Sequence, residues 1–112
     1  MNFRIFYEKL KSEFNISVAY DHFESKPTVP FIVFLDEGKK VYAADNVNYF
    51  KFNNIRVELY TEHKDLELEE QLENFFSREN LIFVDDGSTY IEDEKLYVHY
   101  YHIQLEVKNE QK

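Results

Sequence analysis

The acidic residues in the stretch 57–76 are the feature of this sequence with the most evident chemical potential. The stretch VELYTEHKDLELEEQLENFF contains many carboxylates and a single lysine. If it is helical, Glu69 and Glu73 are four residues apart and Glu70 and Glu73 are three apart, so that like charges face each other. Paired carboxylates can cleave glycosidic bonds, bind metal ions or imitate the phosphates of nucleic acid, and they can also form the solvated side of a helix.

The pattern around these acids favours the solvated helix face. A glycosidase acid needs a pKa raised by apolar surroundings, whereas these residues are predicted to lie opposite the apolar side of their helix. A di-metal helical bundle needs Glu-x-x-His motifs, and this sequence has none. We therefore assign no catalytic and no metal-binding residue to this stretch.

The histidines, cysteines and glycines predict no other reaction centre. His99 and His102 are three residues apart in a predicted strand, and the resulting opposite faces disfavour a shared metal ion. The chain has no cysteine and two glycines, which excludes disulfides, thiolate zinc sites and glycine-rich nucleotide loops. We expect no enzymatic activity and no cofactor.

The net charge limits the partners that we expect. The 112 residues include 22 acids and 13 bases, for a net charge of −9, and the bases are scattered. Nucleic acids and anionic membranes bind clustered Lys and Arg, so neither partner is expected. A hydrophobic share of 44% supplies the core of one domain, residues 1–112, whose polar end at 108–112 is predicted to be a disordered tail. Without a signal peptide or a membrane-spanning run, the protein is predicted to be soluble and intracellular.

Hydrophobic spacing in the first half of the chain predicts one helix and three strands. Phe3, Tyr7, Leu10 and Phe14 repeat at the spacing of one helix face. The predicted elements are a helix over 3–14, strands over 17–23, 31–36 and 49–61, and polar connections over 25–30 and 37–48. In the third strand the apolar residues change face, and a bulge at Asn53–Asn54 is predicted to bring both sets onto the core.

The second half predicts another helix and further strands. Asp65 is a suitable N-cap, and Leu68, Leu72 and Phe76 form an apolar stripe behind it. The predicted elements are a helix over 65–79 and strands over 81–86, 89–92 and 96–107, with a turn at Gly87–Ser88. The order α-β-β-β-α-β-β-β predicts an α+β fold, in which two helices pack on one face of a mostly antiparallel, mixed sheet.

Three segments of the chain resemble a family of small phage proteins. They are PFIVFLDEG, AADNVNYFKFNNIRVELYTEHKDLELEEQLENFF and YIEDEKLYVHYYHIQLEV. In this order they resemble the tail-completion family, also described as tail terminators or head–tail joining proteins, of long-tailed phages and prophages of Gram-positive bacteria. The resemblance covers about residues 17–107. This chain has Leu66 where family members often have Pro, which removes one helix-start signal.

The resemblance implies a subunit that forms a ring, expected to be six-fold, at the end of the tail tube. Such a homo-oligomer would stop tube polymerisation and contact both the tail tube protein and the head connector proteins. DNA would pass through it without specific binding, and no membrane would be involved. The protein would belong to the virion tail and, during assembly, to the host cytoplasm. The residues that we consider for the ring interface or the lumen are Lys39, Lys40, Asp45, Asn46, Arg56, Glu67, Glu70 and Glu73.

Two other functions remain as alternatives. One is a small acidic binding module that imitates DNA and inhibits a nuclease, which requires carboxylates spaced like phosphates across one surface. The acids are instead concentrated in the helix 65–79 and in the predicted turns over 85–94, which fits this function less well. The other is an enzyme with a carboxylate site, which requires a cleft that contains desolvated acids.

Overall fold

A five-stranded mixed sheet with two helices forms the described part of this computed structural model. The structure describes the backbone of residues 1–44 and 47–106, and the side chains of residues 1–41 and 51–106. The elements are α1 (Phe3–Phe14), β1 (Ser17–Tyr20), β2 (Phe31–Ala44), β3 (Val47–Thr61), α2 (Leu66–Arg78), β4 (Phe83–Ile91) and β5 (Leu96–Glu106). The strand order is β1-β2-β3-β5-β4, in which β1 is parallel to β2 and the other pairs are antiparallel. The predicted α+β fold with a mostly antiparallel sheet is confirmed.

Both helices begin with a capping side chain. Asn2 accepts a hydrogen bond from the amide of Ile5 at 2.9 Å, and Asp65 accepts one from the amide of Leu68 at 3.0 Å. These bonds satisfy amide hydrogens that have no partner within the first turn. The Asp65 cap is confirmed, and α2 begins at Leu66 without a proline there.

The main core lies between the two helices and one face of the sheet. Phe6 of α1 packs edge-on against Phe34 of β2, with ring centroids 5.2 Å apart, and Phe76 of α2 packs against Tyr101 of β5 at 5.5 Å. The fully buried side chains include Leu10, Ile32, Ile55, Leu59, Leu72, Phe75, Ile103 and Leu105. We call this side of the sheet the helix face and the other side the open face.

The hairpin of β2 and β3 is longer than predicted. Residues 37–44, which the sequence indicated as a polar connection, continue β2 and pair with β3. The register shifts between Asp36 and Lys39, where Gly38 has φ +117 and its amide donates to the Asp36 carboxylate at 2.9 Å. One extra residue is thus accommodated in β2 at a glycine, which tolerates this backbone conformation.

The predicted bulge at Asn53–Asn54 is wrong, because the extra residue of the shift between Asp36 and Lys39 lies in β2, and the other shift, between Tyr42 and Ala43, lies opposite residues 48–50. The pairing of β3 with β5 continues without a shift from Phe52 to Thr61. An uninterrupted strand alternates its side chains, so Phe52 lies on the open face while Ile55 lies in the core. Phe52 and the core residues of β3 therefore lie on different faces.

The two strands predicted over 81–86 and 89–92 are one strand, β4. Gly87–Ser88 lies in a bulge where the register with β5 shifts between Asp85 and Ser88. The Asp85 carboxylate accepts a hydrogen bond from the Gly87 amide at 2.9 Å, and Gly87 has φ +82. The sheet consequently has one strand fewer than the predicted order.

A second, smaller cluster covers part of the open face. Phe31 and Val33 of β2 are buried there together with Leu96 of β5. Phe23 and Val29 pack on them from residues 21–30, which connect β1 to β2. Beside this connection, the open face carries the polar side chains of Arg56, Glu58 and His102. None of the helices in the described ranges is long and apolar enough to cross a membrane.

Candidate functional site

The acids of α2 divide into two that are exposed and two that are directed towards the sheet. Glu67 and Glu70 are exposed, as predicted for a solvated face. Glu69 is 7% exposed, and half-buried Glu73 accepts a hydrogen bond from the hydroxyl of Tyr101 at 2.7 Å. The prediction that these acids lie opposite the apolar stripe is therefore wrong for Glu69 and Glu73.

The contact between Tyr101 and Glu73 joins α2 to the middle of β5. Tyr101 is fully buried, and its ring contacts Phe76 and Phe83. Burial, followed by the hydrogen bond to Glu73, raises the pKa of Tyr101 well above its ordinary value. The hydroxyl is thus a permanent donor at neutral pH, and Glu73 holds α2 against the sheet.

A polar network lies beneath the first turn of α2. Lys64 donates to the Glu69 carboxylate, which compensates the buried charge of Glu69. Buried His99 has its Nε2 2.8 Å from Oδ1 of Asp85 and its Nδ1 3.4 Å from Nζ of Lys64. This network connects the α2 start, β5 and the bulge of β4. No lysine or arginine follows Glu69 by one helical turn, but Lys64 reaches it from before the helix.

Asp85 is the member of this network whose ionisation is most clearly affected. Burial alone would raise the pKa of its carboxyl group. The hydrogen bonds from the Gly87 amide and from His99 have the opposite effect, and the pKa of Asp85 is lower than its ordinary value. The charged form of Asp85 is therefore part of the folded state.

A second polar cluster lies on the open face around Arg56. The Arg56 Nε is 2.9 Å from Oε2 of Glu58, and its Nη1 is 3.4 Å from Oε2 of Glu37. The Tyr60 hydroxyl donates to Glu58 Oε1 at 2.8 Å, and burial together with this bond raises the pKa of Tyr60. Arg56 also lies over the ring of Tyr100. Arg56, a candidate interface residue, is thus neutralised by acids of its own chain.

His102 links the bulges of β2 and β4. Its Nδ1 is 2.9 Å from Oε1 of Glu37, and its Nε2 is 3.1 Å from Oδ2 of Asp86. Each bulge contributes one of these carboxylates, and both nitrogens of an imidazolium can donate to them. His99 and His102 lie on opposite faces, as predicted, and each contacts acids there.

The groove beside the open-face cluster has acids but no free carboxylate pair. It encloses about 240 Å³ between residues 21–31 and β3, and its lining includes Glu58 and Glu94. Glu58 is bound by Arg56 and Tyr60, and Glu94 is 3.2 Å from the Lys26 ammonium. Among the described residues, no group of three or more His, Asp or Glu side chains is arranged to hold a metal ion. The arrangement gives a carboxylate enzyme no specific support.

The end of the β2–β3 hairpin extends beyond the rest of the sheet. We call residues 39–44 and 47–51 the ribbon, because they pair with each other while β1 pairs with β2 over Phe31–Phe34 and β5 reaches β3 at Phe52. Lys39, Lys40 and Lys51 are exposed on it. Asp45 and Asn46, also candidate interface residues, lie outside the described residues.

β1 and β4 are the two edge strands of the described sheet, and β4 is the longer of them. No strand pairs with its outer side in the described ranges. Val84 is 59% exposed and Tyr90 is 45% exposed, and Ile82, just before the strand, is 80% exposed. Large apolar side chains on an open strand edge indicate a surface that another strand can cover.

Comparison with known proteins gave no matching family model and no match among curated proteins. The candidate site therefore rests on the geometry of the chain. Sequence reasoning missed the buried role of Glu69 and Glu73, although their spacing with Leu72 and Phe76 is that of one helix face. It also missed Glu37 and Asp86, for which the adjacent Gly38 and Gly87 were the available signal of a bulge.

Proposed function

We propose that this protein is a structural subunit that assembles with copies of itself into a ring, which ends a phage tail tube and joins it to the head. The ordered segments that resemble the tail-completion family motivate this proposal. The observation that carries it is that, apart from the short edge strand β1, the described sheet has two long and different open surfaces, the projecting ribbon and the edge of β4. Six-fold symmetry, the tail tube protein and the head connector as partners, and a place in the virion tail are part of the same proposal.

Two different open surfaces are what a ring subunit requires. A ring closes through heterologous contacts, in which one surface of each copy meets another surface of the next. An isologous dimer would need one self-complementary surface instead. The long axis of the described residues measures 51 Å against 27 and 25 Å for the others, so the chain reaches well beyond its own core.

The negative charge of the protein is suited to a channel through which DNA passes without being bound. A net charge of −9 repels phosphate, and the bases are not clustered as in DNA-binding proteins. If α2 lines the lumen, Glu67 and Glu70 are the acids that face the DNA, because Glu69 and Glu73 are directed towards β5 and its neighbours. The proposed lumen residues of α2 are thereby reduced to two.

The alternative of a DNA mimic receives less support from the positions of the acids. A mimic needs carboxylates that project from one surface at the spacing of phosphates. Glu58, Glu69, Glu73 and Asp85 instead form hydrogen bonds with side chains or amides of this chain. These bonds reduce the negative surface that a nuclease would meet.

Deletion of the gene from a prophage that carries it tests the proposed function. We expect tails that are longer than normal or that lack heads in electron micrographs of the induced lysate, and complementation with the intact gene should restore full virions. Normal virions from the deletion strain would refute the proposal. Native mass spectrometry of the purified protein, with and without tail tube protein, should show a closed oligomer in at least one of the two samples.

Inhibition of a nuclease is the outcome that would favour the alternative. Purified protein should leave the DNA cleavage rate of host nucleases unchanged in a gel assay. A stoichiometric loss of cleavage, relieved by excess DNA, would support a DNA mimic in place of a tail subunit.

A further inference from the structure

We propose that β4 of one copy pairs antiparallel with the ribbon part of β2 in the next copy. This inference rests on the homo-oligomer of the proposed function and names the surfaces that make its contact. The partner is therefore a second copy of this chain, and its pairing surface is residues 39–44. Strand addition of this kind supplies main-chain hydrogen bonds along both edges.

Both edges are open over matching lengths. β1 covers the outer side of β2 at Phe31–Phe34, and in the described ranges no strand pairs with that side of β2 over the six ribbon residues 39–44. These residues span about 20 Å, and the nine residues of β4 span about 30 Å. The ribbon strand therefore fits within the length of β4.

Apolar side chains are exposed on both surfaces. Val41 of the ribbon is 45% exposed, and Val84 and Tyr90 of β4 are 59% and 45% exposed. Burial of apolar surface is favourable, so these side chains would add to the main-chain hydrogen bonds of the pair. Each surface thus has both components of a strand contact.

Opposite charges distinguish this contact from pairing of like edges. The ribbon and its connection, residues 39–51, contain three lysines and one aspartate, although the whole chain has a net charge of −9. Beside the β4 edge, the turn after the strand exposes Glu92 and Asp93, while Asp85 and Asp86 contact His99 and His102 of their own chain and Glu94 contacts Lys26. Two β4 edges would repel each other, and so would two ribbons, whereas the mixed pair is attractive.

The order of the strands keeps β2 and β4 of one chain apart and determines their relative direction. Within one chain, β2 and β4 are separated by β3 and β5, so about 14 Å lies between them. Because β2 is antiparallel to β3, β3 to β5 and β5 to β4, β4 is antiparallel to β2. A neighbouring copy that continues the sheet therefore offers its β2 antiparallel to β4, and the helices of every copy lie on the same side of the joined sheet.

Single cysteines test the contact directly, because the chain has none of its own. Val41→Cys marks the ribbon and Ser88→Cys marks β4, and the strand register places both on the helix face. The two variants are mixed, one of them with a mass tag, in the presence of tail tube protein. They are then treated with a short bismaleimide, which tolerates a small offset in register. We expect a mixed V41C–S88C dimer at least ten times more abundant than either self-linked dimer.

The possible results separate this inference from the function on which it rests. A closed oligomer in native mass spectrometry without mixed cross-links would overturn the strand pairing and leave the ring in place. Dominant S88C self-links would also overturn it, since they show two β4 edges in contact. Absence of any oligomer with tail tube protein would remove the proposed ring and this contact together.

Charge reversal gives an independent readout of the same contact. Lys39→Glu with Lys51→Glu should reduce the fraction of assembled protein at least ten-fold at low salt, because it reverses the charge of Lys39 on the pairing strand and of Lys51 on β3 beside it. Arg4→Glu with Lys11→Glu makes the same charge change on the exposed side of α1 and is the matched control. Equal losses in the two variants would show that net charge, and not the ribbon, determines assembly.

Discussion

The hydrogen bond between Tyr101 and Glu73 gives the sharpest prediction, because it decides on which side of α2 Glu73 lies. Tyr101→Phe removes the hydroxyl and keeps the ring that packs against Phe76 and Phe83. A hydrogen bond to a charged acceptor contributes about 1.5–3 kcal/mol. Glu73 is half-buried and can be hydrated after the change, so we expect the lower end, about 1.5 kcal/mol.

The reverse change should cost a similar amount for a different reason. In Glu73→Met the fully buried Tyr101 hydroxyl loses its acceptor, which costs about 1–3 kcal/mol. The double variant replaces both polar groups and should be less destabilised than the sum of the single variants. The coupling free energy in this double-mutant cycle is expected to be about 1–2 kcal/mol.

Urea denaturation followed by circular dichroism measures the four free energies of unfolding. Each single variant should also lower the Tm by about 4–8 °C for a chain of this size. Tyr90→Phe and Glu70→Gln are the matched controls, since both residues are exposed, and each should change stability by less than about 0.5 kcal/mol. A coupling below about 0.3 kcal/mol would refute the reasoning and return Glu73 to the solvated face of α2.

Three further predictions concern the polar network and the bulge of β4. Lys64→Ala should destabilise the fold by about 1–2 kcal/mol in urea denaturation, because it leaves buried Glu69 without its cation, and an effect below about 0.3 kcal/mol would contradict that pairing. Because the pKa of Asp85 is lowered in the folded state, its contribution is present above about pH 4 and is lost as the pH falls through the folded value. The stability difference between wild type and Asp85→Asn should therefore shrink from pH 5 to pH 2, and a constant difference would exclude this assignment. Gly87→Ala should cost about 1–2 kcal/mol, since Gly87 has φ +82, and an unchanged midpoint of unfolding would show that the bulge tolerates a side chain.

The helices were predictable because their signals are local. Asp65 and the stripe of Leu68, Leu72 and Phe76 specify both the start and the buried side of α2 within one short segment. The alternation in β5 is equally local, with Tyr101 and Ile103 buried and Gln104 exposed. Such patterns follow from the repeat of the helix or strand itself, so they can be recognised without knowing which elements pack against it.

The bulges and the length of the hairpin were not predictable in the same way. Asp-Gly is a common hairpin turn signal, and nothing near Gly87 indicates that β5 continues beside it on both sides. Gly38 likewise looks like the start of a loop, because the partner residues in β3 lie far along the chain. The registers of β4 with β5 and of β2 with β3 determine both cases, and register is a tertiary property.

The sequence predicted which types of residue form the candidate site, but it predicted their positions in the fold only in part. Glu69 and Glu73 were interpreted as solvated because they were placed opposite the apolar stripe of their helix. Their partners, Lys64 and Tyr101, come from before the helix and from a strand 28 residues beyond Glu73. Arg56 was a candidate by residue type, but its contacts with Glu37 and Glu58 arise from the bulge and the pleat.

The passage of residues 21–30 over Phe31 and Val33 has a consequence for how this protein can diversify. Phe23 and Val29 form a lid over one half of the open face, so replacements there must conserve apolar volume as they would in any interior. The other half, around Arg56 and His102, has no such cover in the described ranges. Related chains that adapt to different neighbours would therefore vary the uncovered half and retain the covered one.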